Sequence, residues 1–192
     1  GVLSKAATII AEGEVFQLAK AKDLTTTPDE YTQVIHAKTA TLFAAAAEVG
    51  AMAGGADAAG REALRVYGEE LGLAFQLVDD VLDYRGESGT MGKNTGDDLR
   101  EGKMTLPVIL ALADANPAER EIISSALGQD ETPDGVLAQI VAIFNRHGSL
   151  DRTVARADEH VRRAREALAP LPASAMKTLL SDIAEFYVSR AY

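Results

Sequence analysis

Apolar residues recur along most of this chain at the three- and four-residue spacing of an amphipathic helix, and no long run alternates polar with apolar residues. The pattern predicts a first helix from Ser4 to about Lys20. Thr27 is a suitable N-cap for the second helix, because Pro28 follows at the first helical position. The predicted helices cover residues 4–20, 28–52, 58–84, 106–113, 118–127, 133–147, 150–169 and 173–190.

The stretch RGESGTMGKNTGDDLREGK, residues 85–103, interrupts this helical pattern. It is rich in glycine and charge and poor in large apolar side chains, so it predicts a loop. The preceding helix would be roughly 40 Å long at 1.5 Å per residue, which is enough to cross a whole domain. No stretch resembles an interdomain linker, and no internal repeat of fixed period occurs. The sequence therefore predicts one all-α domain over residues 1–192.

Composition narrows the possible classes of protein. Tryptophan is absent and aromatic residues make up 5% of the chain, so alanine and leucine must supply most of the packing, which favours helices. The formal net charge of -10 argues against a nucleic-acid partner. The absence of cysteine excludes disulfides and fits a reducing compartment, so we expect a cytoplasmic protein. The most membrane-like stretch, LFAAAAEVGAMAGGA, is shorter than the roughly 20 apolar residues of a membrane span, so we expect no transmembrane segment.

Three aspartates stand among apolar residues in LAFQLVDDVLDY, residues 73–84. On a helix, Asp79, Asp80 and Asp83 share one face, and Gln76 lies on the same face one turn earlier. Carboxylates that leave water need a positive partner, and oxygen ligands on a rigid helix suit Mg²⁺, which also shares phosphate oxygens. The alternative is a solvated acidic patch at a helix end. Apolar residues all around this helix favour the metal site.

Basic residues at two places could complete such a site. Lys93, Arg100 and Lys103 alternate with glycines in the predicted loop, where the backbone can approach a ligand and lysines can bind phosphate. The spacing is not that of a P-loop. Lys38 and Thr39, in VIHAKTATLF, lie on a helix side that faces inward by its apolar neighbours. The alternatives, an ordinary solvated loop and a surface lysine, stay open on these residues alone.

Taken together, these motifs resemble the trans-polyprenyl diphosphate synthases, which are class I isoprenoid synthases. They occur in the family's order over the whole chain: AEGEVFQL at 11–18, KTATLF at 38–43, GLAFQLVDDVLDY at 72–84, GKNTGDDLREGKMTLPVI at 92–109 and FYVSRAY at 186–192. The resemblance implies an all-α isoprenoid-synthase bundle around a central cavity.

The resemblance also implies a chemistry for the side chains in these motifs. Mg²⁺ would bridge the aspartates and the diphosphate of an allylic prenyl diphosphate, and pyrophosphate would leave an allylic carbocation that isopentenyl diphosphate attacks. Catalytic roles fall on Asp79, Asp80, Lys38 and Lys93. The implied metal ligands are Asp79, which binds directly, and Asp80 and Asp83, which bind directly or through water. The implied substrate-binding residues are Lys38, Thr39, Gln76, Lys93 and Lys103, the last closing over the site.

One departure from the family pattern is large. The family has two facing aspartate-rich motifs, and no such motif precedes Asp79 in this chain. Because the chain starts inside a predicted helix and without methionine, we expect it to be the C-terminal part of a longer synthase, lacking the N-terminal helices and inactive alone. We further expect a homodimer and a long-chain product, octaprenyl to decaprenyl, for a quinone side chain.

Three alternative functions remain at this point. A class I terpene cyclase would carry Asn, Ser and Glu in its second metal motif, whereas this chain has DDVLD. A non-catalytic regulatory subunit of a prenyl synthase usually has eroded aspartates, which are intact here. The third alternative is a helical interaction protein with an acidic surface patch.

Overall fold

The computed structural model describes residues 1–85, 95–129 and 133–191, and these residues form helices and turns without a β-strand. The predicted all-α class is therefore confirmed. None of the described helices combines the length and the apolar character that crossing a bilayer requires. The elements are α1 (Val2–Lys20), α2 (Pro28–Ile35), a π-helical segment (His36–Ala40), α3 (Thr41–Ala53), α4 (Ala58–Arg85), α5 (Asp97–Arg100), α6 (Leu106–Asp114), α7 (Pro117–Ala126), α8 (Asp134–Arg146), α9 (Ser149–Ala167) and α10 (Ala175–Ser189).

Local capping explains where several of these helices begin. Thr27 and Glu30 form a reciprocal capping box at the start of α2: the Glu30 amide donates to Thr27 Oγ1 at 3.2 Å, and the Thr27 amide donates to Glu30 Oε2 at 2.9 Å. Asp57 accepts the Gly60 amide at 2.8 Å before α4. Two features differ from the sequence prediction. The predicted helix 28–52 is interrupted by the π-helical segment, and the predicted loop contains the one-turn helix α5.

The long helix α4 lies at the centre of the fold and packs against α3 on one side and α9 on another. Its apolar residues point in all directions because it is surrounded by protein; Ala74, Leu77, Val78 and Val81 are each at most 2% exposed. Burial of such side chains stabilises the fold by about 1.5–3 kcal/mol for each large residue. The carboxylates near the carboxyl end of α4 are therefore carried by a helix that packs at the centre of the fold.

Close approach of α3 and the π-helical segment to α4 depends on two glycines. A Cβ atom on Gly72 would lie 2.6 Å from the Cα atom of Ala40, and one on Gly68 would lie 2.5 Å from the carbonyl oxygen of Phe43. Both contacts are with backbone, which cannot move aside as a flexible side chain can. Gly68 and Gly72 thus set the distance of α4 from α3 and from the π-helical segment. Helix α4 and the π-helical segment carry most of the predicted site residues.

Replacing Gly72 with alanine is expected to destabilise the fold by about 1–3 kcal/mol, because the added methyl group overpacks a backbone contact. Gly50→Ala is the matched control, since Gly50 is an exposed residue of α3 and a Cβ atom at this position would meet nothing within 4 Å. The control should stabilise the protein by about 0.5–1 kcal/mol through helix propensity. Urea unfolding followed by circular dichroism measures both changes. Equal shifts for the two variants would contradict the proposed close contact.

Candidate functional site

A cavity of about 560 Å³ opens beside the carboxyl end of α4. Residues from α4, from the π-helical segment and from the turn after α5 face one another across it. Seven of the eight predicted site residues line the cavity: Lys38, Thr39, Gln76, Asp79, Asp80, Asp83 and Lys103. The eighth, Lys93, lies outside the described residues. Residues separated by up to 65 positions in sequence (38 to 103) thus meet at one site.

Asp80 is the buried member of the aspartate group, with 2% of its surface exposed. Its Oδ2 accepts a hydrogen bond of 2.6 Å from the Tyr31 hydroxyl, and its Oδ1 accepts one of 2.9 Å from Gln76 Nε2. Gln76 Oε1 in turn accepts the Thr39 hydroxyl at 2.9 Å. Burial, followed by the negative charge of Asp98, raises the pKa of Asp80 to about 8, although the two hydrogen bonds oppose this shift. Asp80 therefore links α2, α4 and the π-helical segment.

Tyr31 is a site residue that the sequence analysis missed. It is buried on α2 and lines the cavity, and its contact with Asp80 spans 49 residues of sequence. The available signal was its position seven residues before Lys38, two helical turns along the same predicted helix. A tyrosine on an amphipathic helix is so often a core residue that this signal is weak on its own.

Asp83 fixes the start of the short helix α5. Its two carboxylate oxygens accept the backbone N–H groups of Asp97 and Asp98, each at 3.2 Å, and its carbonyl oxygen accepts the Gly96 amide at 2.9 Å. Burial, followed by the charge of Asp98, raises the pKa of Asp83 to about 6, while the two backbone donors lower it. The second half of the predicted loop is thus bound to the aspartate helix.

Lys103 places a positive charge at the same cavity. Its Nζ lies 2.7 Å from Asp98 Oδ1 and 2.8 Å from Glu101 Oε2. Asp98 and Glu101 also line the cavity, and neither was selected as a site residue from the sequence. The acidic pair at residues 97 and 98, next to Lys103, was the signal available. This part of the wall therefore carries a mutually paired group of one lysine and two acids.

The π-helical segment carries Lys38 and Thr39 into the cavity. The backbone amide and the hydroxyl of Thr41 both donate to the carbonyl oxygen of His36, which closes the wider turn. The wider turn holds one residue more than an α-helical turn, so it changes the direction in which the side chains on this helix point. Single π-helical turns occur frequently at functional sites. The sequence pattern gave no sign of it, because helical periodicity continues on both sides.

Helix α1 holds Lys38 from the opposite direction. Lys38 Nζ donates to Gln17 Oε1 at 2.6 Å and pairs with Glu14 Oε1 at 3.1 Å. A Cβ atom on Gly13 would lie 2.5 Å from the Cβ atom of Ala37, so glycine at this position allows α1 to approach the π-helical segment closely. Lys38 is part-buried and already hydrogen-bonded, so its side chain can adopt few other conformations.

An ion pair at the start of the π-helical segment should make stability depend on pH. His36 Nε2 lies 2.8 Å from Glu69 Oε1. The hydrogen bond from His36, followed by that from Arg65, lowers the pKa of Glu69 from 4.5 to about 2 against its burial, and Glu69 raises the pKa of His36 above 6.5. The Glu69 contribution is present above pH 4.5 and is lost as the pH falls toward 2; the His36 contribution is present below pH 6.5 and is lost as the pH rises through its raised pKa.

The pair should therefore stabilise the fold most between about pH 4.5 and 6.5, the two unperturbed pKa values. We expect His36→Gln to lower the melting temperature more at about pH 5.5, which lies within this range, than at about pH 8.5, which lies above it. The effect should be small, because the His36 side chain is 42% exposed. Differential scanning calorimetry at the two pH values measures it, with Lys5→Gln on α1 as a control. An equal loss at both pH values would contradict the assignment.

The donor set of the cavity fits Mg²⁺. Asp79, Asp83 and Asp98 present oxygen ligands, which this ion prefers. Burial first, and then the charge of Asp98, raises the pKa values of Asp80 and Asp83, and a cation in the cavity would favour the charged form of both carboxyls. Within residues 1–85, 95–129 and 133–191, no three acidic or histidine side chains are close enough together to hold a metal ion by themselves. Mg²⁺ usually keeps several waters and shares phosphate oxygens.

Comparisons with known proteins find a matching family model and related sequences. The family described as "Polyprenyl synthetase" matches residues 1–144. The chain is 40% identical to the octaprenyl diphosphate synthase of Haemophilus influenzae over 191 residues, which cover 100% of this chain and 58% of the relative. It is 41% identical to the all-trans-nonaprenyl-diphosphate synthase (geranyl-diphosphate specific) of Rhodobacter capsulatus over 181 residues, 94% of this chain and 55% of the relative.

Solved structures give the same result. A decaprenyl diphosphate synthase from Rhodobacter capsulatus superimposes with a TM-score of 0.90 at 46% identity, covering 100% of this chain and 59% of that one. A polyprenyl synthase from Caulobacter crescentus, complexed with calcium and isoprenyl diphosphate, gives a TM-score of 0.93 at 46% identity and covers 100% and 58%. The chain thus spans less than two thirds of the length of these relatives.

Proposed function

This chain belongs to the polyprenyl synthetase family, and from that premise we propose that the protein containing it adds isopentenyl diphosphate to an allylic prenyl diphosphate in Mg²⁺-dependent, head-to-tail elongation. The observation that carries the proposal is the cavity in which Asp79 and Asp83 on α4 face Lys38 on the π-helical segment and Lys103 after α5. Relatives named as octaprenyl and nonaprenyl synthases support a long-chain product, which we propose serves a quinone side chain.

Breaking the bond to the allylic carbon requires stabilisation of a leaving pyrophosphate more than it requires a general base. Mg²⁺, when bound, would supply positive charge to that leaving group. Asp79, Asp80 and Asp83 are the proposed ligands. Because both carboxylate oxygens of Asp80 and of Asp83 already accept hydrogen bonds from protein, we propose that Asp79 binds the ion directly and that these two act through water. Asp80 would also act through its hold on Gln76.

The basic residues would bind the diphosphate oxygens directly. Lys38 and Lys103 are each held by acidic or amide oxygens of neighbouring side chains, at 2.6–3.1 Å, and a diphosphate would compete for these ammonium groups. Lys93, which precedes the described part of the loop, is proposed to bind the allylic diphosphate as well. The Thr39 hydroxyl, which donates to Gln76, would support this wall of the site.

The test of this function is an elongation assay on the full-length protein that contains this chain. Labelled isopentenyl diphosphate, an allylic diphosphate primer and Mg²⁺ should give extractable polyprenyl product, whose length chromatography reports. Cyclised product without elongation would instead indicate a class I terpene cyclase. Binding of Mg²⁺ and pyrophosphate without turnover would indicate a non-catalytic subunit. The absence of both binding and turnover would overturn the proposal.

We propose a cytoplasmic location, in keeping with the absence of cysteine.

We also propose that the protein is a homodimer. Apolar side chains on α1 and α3 remain largely exposed, with Leu18 75%, Val15 68%, Leu3 59%, Leu42 53% and Met52 47% exposed. Large exposed apolar patches mark interaction surfaces. We expect light scattering of the full-length protein to report a dimer at micromolar concentration, and we expect Leu18→Glu to shift it toward monomer. A strict monomer in the unmodified protein would contradict this.

A further inference from the structure

Three residues with left-handed backbone conformation meet at one point beside the cavity. Gly102 and Gly128 have φ angles of 73° and 72°, and Lys22 has a φ angle of 60°. Among the residues that the structure describes, Lys22 is the one non-glycine residue with a positive φ. This conformation is unfavourable for an L-residue with a side chain, and it persists only where its surroundings require it. We call Lys22, Gly102 and Gly128 the turn clamp.

Hydrogen bonds and packing connect the three residues. The Lys22 amide donates to the Gly102 carbonyl oxygen at 2.9 Å, and Lys22 Nζ donates to the Gly128 carbonyl oxygen at 3.0 Å. A Cβ atom on Gly128 would lie 1.9 Å from Lys22 Cε, and one on Gly102 would lie 3.0 Å from Lys22 Cγ. The stem of the lysine therefore lies across both glycines, in space that a side chain at either position would occupy.

The turn clamp joins three turns that are far apart in sequence: those after α1, after α5 and after α7. The amides of Gly102 and Gly128 both donate to the carbonyl oxygen of Leu99, at 3.0 and 2.8 Å, so the last two turns share an acceptor. Lys22 adds the first turn to this pair. Within the part of the chain that the structure describes, the first turn donates two hydrogen bonds to the other two turns, one from the Lys22 amide and one from Lys22 Nζ. Removal of the Lys22 side chain would leave only the bond from the amide.

Two of the clamped turns carry cavity residues. Lys20 and Thr26 flank the first turn, and Glu101 and Lys103 stand on either side of Gly102. The Lys103 amide donates to the Asp98 carbonyl oxygen at 2.9 Å, so the orientation of the Gly102 peptide determines where the Lys103 side chain begins. Lys22 itself does not line the cavity. Any effect that it has on a ligand must therefore act through the neighbouring turns.

We propose that Lys22 is a positioning residue for diphosphate binding: its side chain fixes the Gly102 turn, and with it Lys103, at the edge of the cavity. The proposal rests on the proposed function, because it takes the ligand of Lys103 to be a diphosphate. The proposal predicts that the effects of substituting Lys22 and Lys103 on diphosphate affinity are coupled, because Lys103 contacts the ligand and Lys22 holds Lys103 in place.

A double-mutant cycle on the full-length protein tests this coupling, with the affinity for pyrophosphate in saturating Mg²⁺ measured by calorimetry. Lys22→Gly removes the side chain while glycine keeps the left-handed backbone readily accessible. We expect it to weaken pyrophosphate binding about fivefold when Lys103 is present and to have no further effect in a Lys103→Met background. Lys22→Met retains the stem of the side chain, so its affinity for pyrophosphate should lie between those of the unmodified protein and Lys22→Gly. Lys5→Met, an exposed lysine on α1, controls for the lost charge.

Equal weakening by Lys22→Gly in both backgrounds would overturn the positioning role, since that result means a general loss of structure or charge. No weakening in either would also overturn it. Hydrogen exchange of the ligand-free protein provides a second, independent readout. Lys22→Gly should accelerate exchange of the Gly102, Lys103 and Gly128 amides by about tenfold while leaving α9 unchanged. If the unmodified protein fails to bind pyrophosphate, the proposed function is wrong, and unchanged exchange at these three amides would separately refute the turn clamp.

Discussion

Replacing Asp79 with asparagine is expected to remove most of the coupling between Mg²⁺ and pyrophosphate binding. Asp79 lines the cavity on the face of α4 that also carries Asp83, opposite Lys38 and Lys103. Mg²⁺ and pyrophosphate should each bind weakly alone and tightly together, because the aspartates would hold the ion and the ion would supply positive charge to the phosphate groups. Replacing a group that only supports a metal ligand typically lowers affinity by 10–100-fold, so loss of a direct ligand should lower it by at least about 100-fold.

Calorimetry on the full-length protein measures this effect by titrating pyrophosphate with and without Mg²⁺. Asp114→Asn is the matched control. Asp114 is a half-exposed aspartate at the end of α6 that pairs with Arg152 and does not line the cavity, and its substitution changes the net charge by the same amount. The control should bind as the unmodified protein does. Unchanged coupling in Asp79→Asn would mean that the aspartates form a solvated acidic patch and not a metal site.

Those parts of the fold that depend on local physics followed from the sequence. Residues 58–84 were predicted as one helix, and α4 runs from Ala58 to Arg85. The prediction succeeded because Asp57 caps the start and apolar residues recur at helical spacing as far as Tyr84. The shared face of Asp79, Asp80 and Asp83 followed from the same helix geometry. Helix propensity, capping and periodicity were sufficient for these features.

Features that depend on contacts between distant segments did not follow from the sequence. The π-helical segment at His36–Ala40 fits against Gly13 on α1 and Gly72 on α4, and neither contact is visible in a local pattern. The contact between Tyr31 and Asp80 spans 49 residues. The left-handed Lys22 contacts the turns at Gly102 and Gly128, which are distant from it in sequence.

The 192-residue chain alone is expected to show no measurable chain elongation, although weak binding of Mg²⁺ and pyrophosphate should persist. In the family that the motifs resemble, two aspartate-rich motifs face each other across the leaving group, and no such motif precedes Asp79 in this sequence. Loss of one well-placed donor to a transition state typically lowers the rate by about 10²–10³-fold. Here the cavity would lack a complete second set of metal ligands, so the loss should be larger still.

Incorporation of radiolabelled isopentenyl diphosphate into extractable product, with farnesyl diphosphate as primer and Mg²⁺, measures this directly. The 192-residue chain and the full-length protein are assayed side by side at equal molar concentration. Circular dichroism of the shorter chain must show helix, so that inactivity is not simply unfolding. Supplying a segment that carries a second aspartate-rich motif, covalently or as a separate piece, should restore activity, because the two motifs would then neutralise the leaving group together. Turnover by the 192-residue chain at a rate near that of the full-length protein would refute the requirement for two motifs.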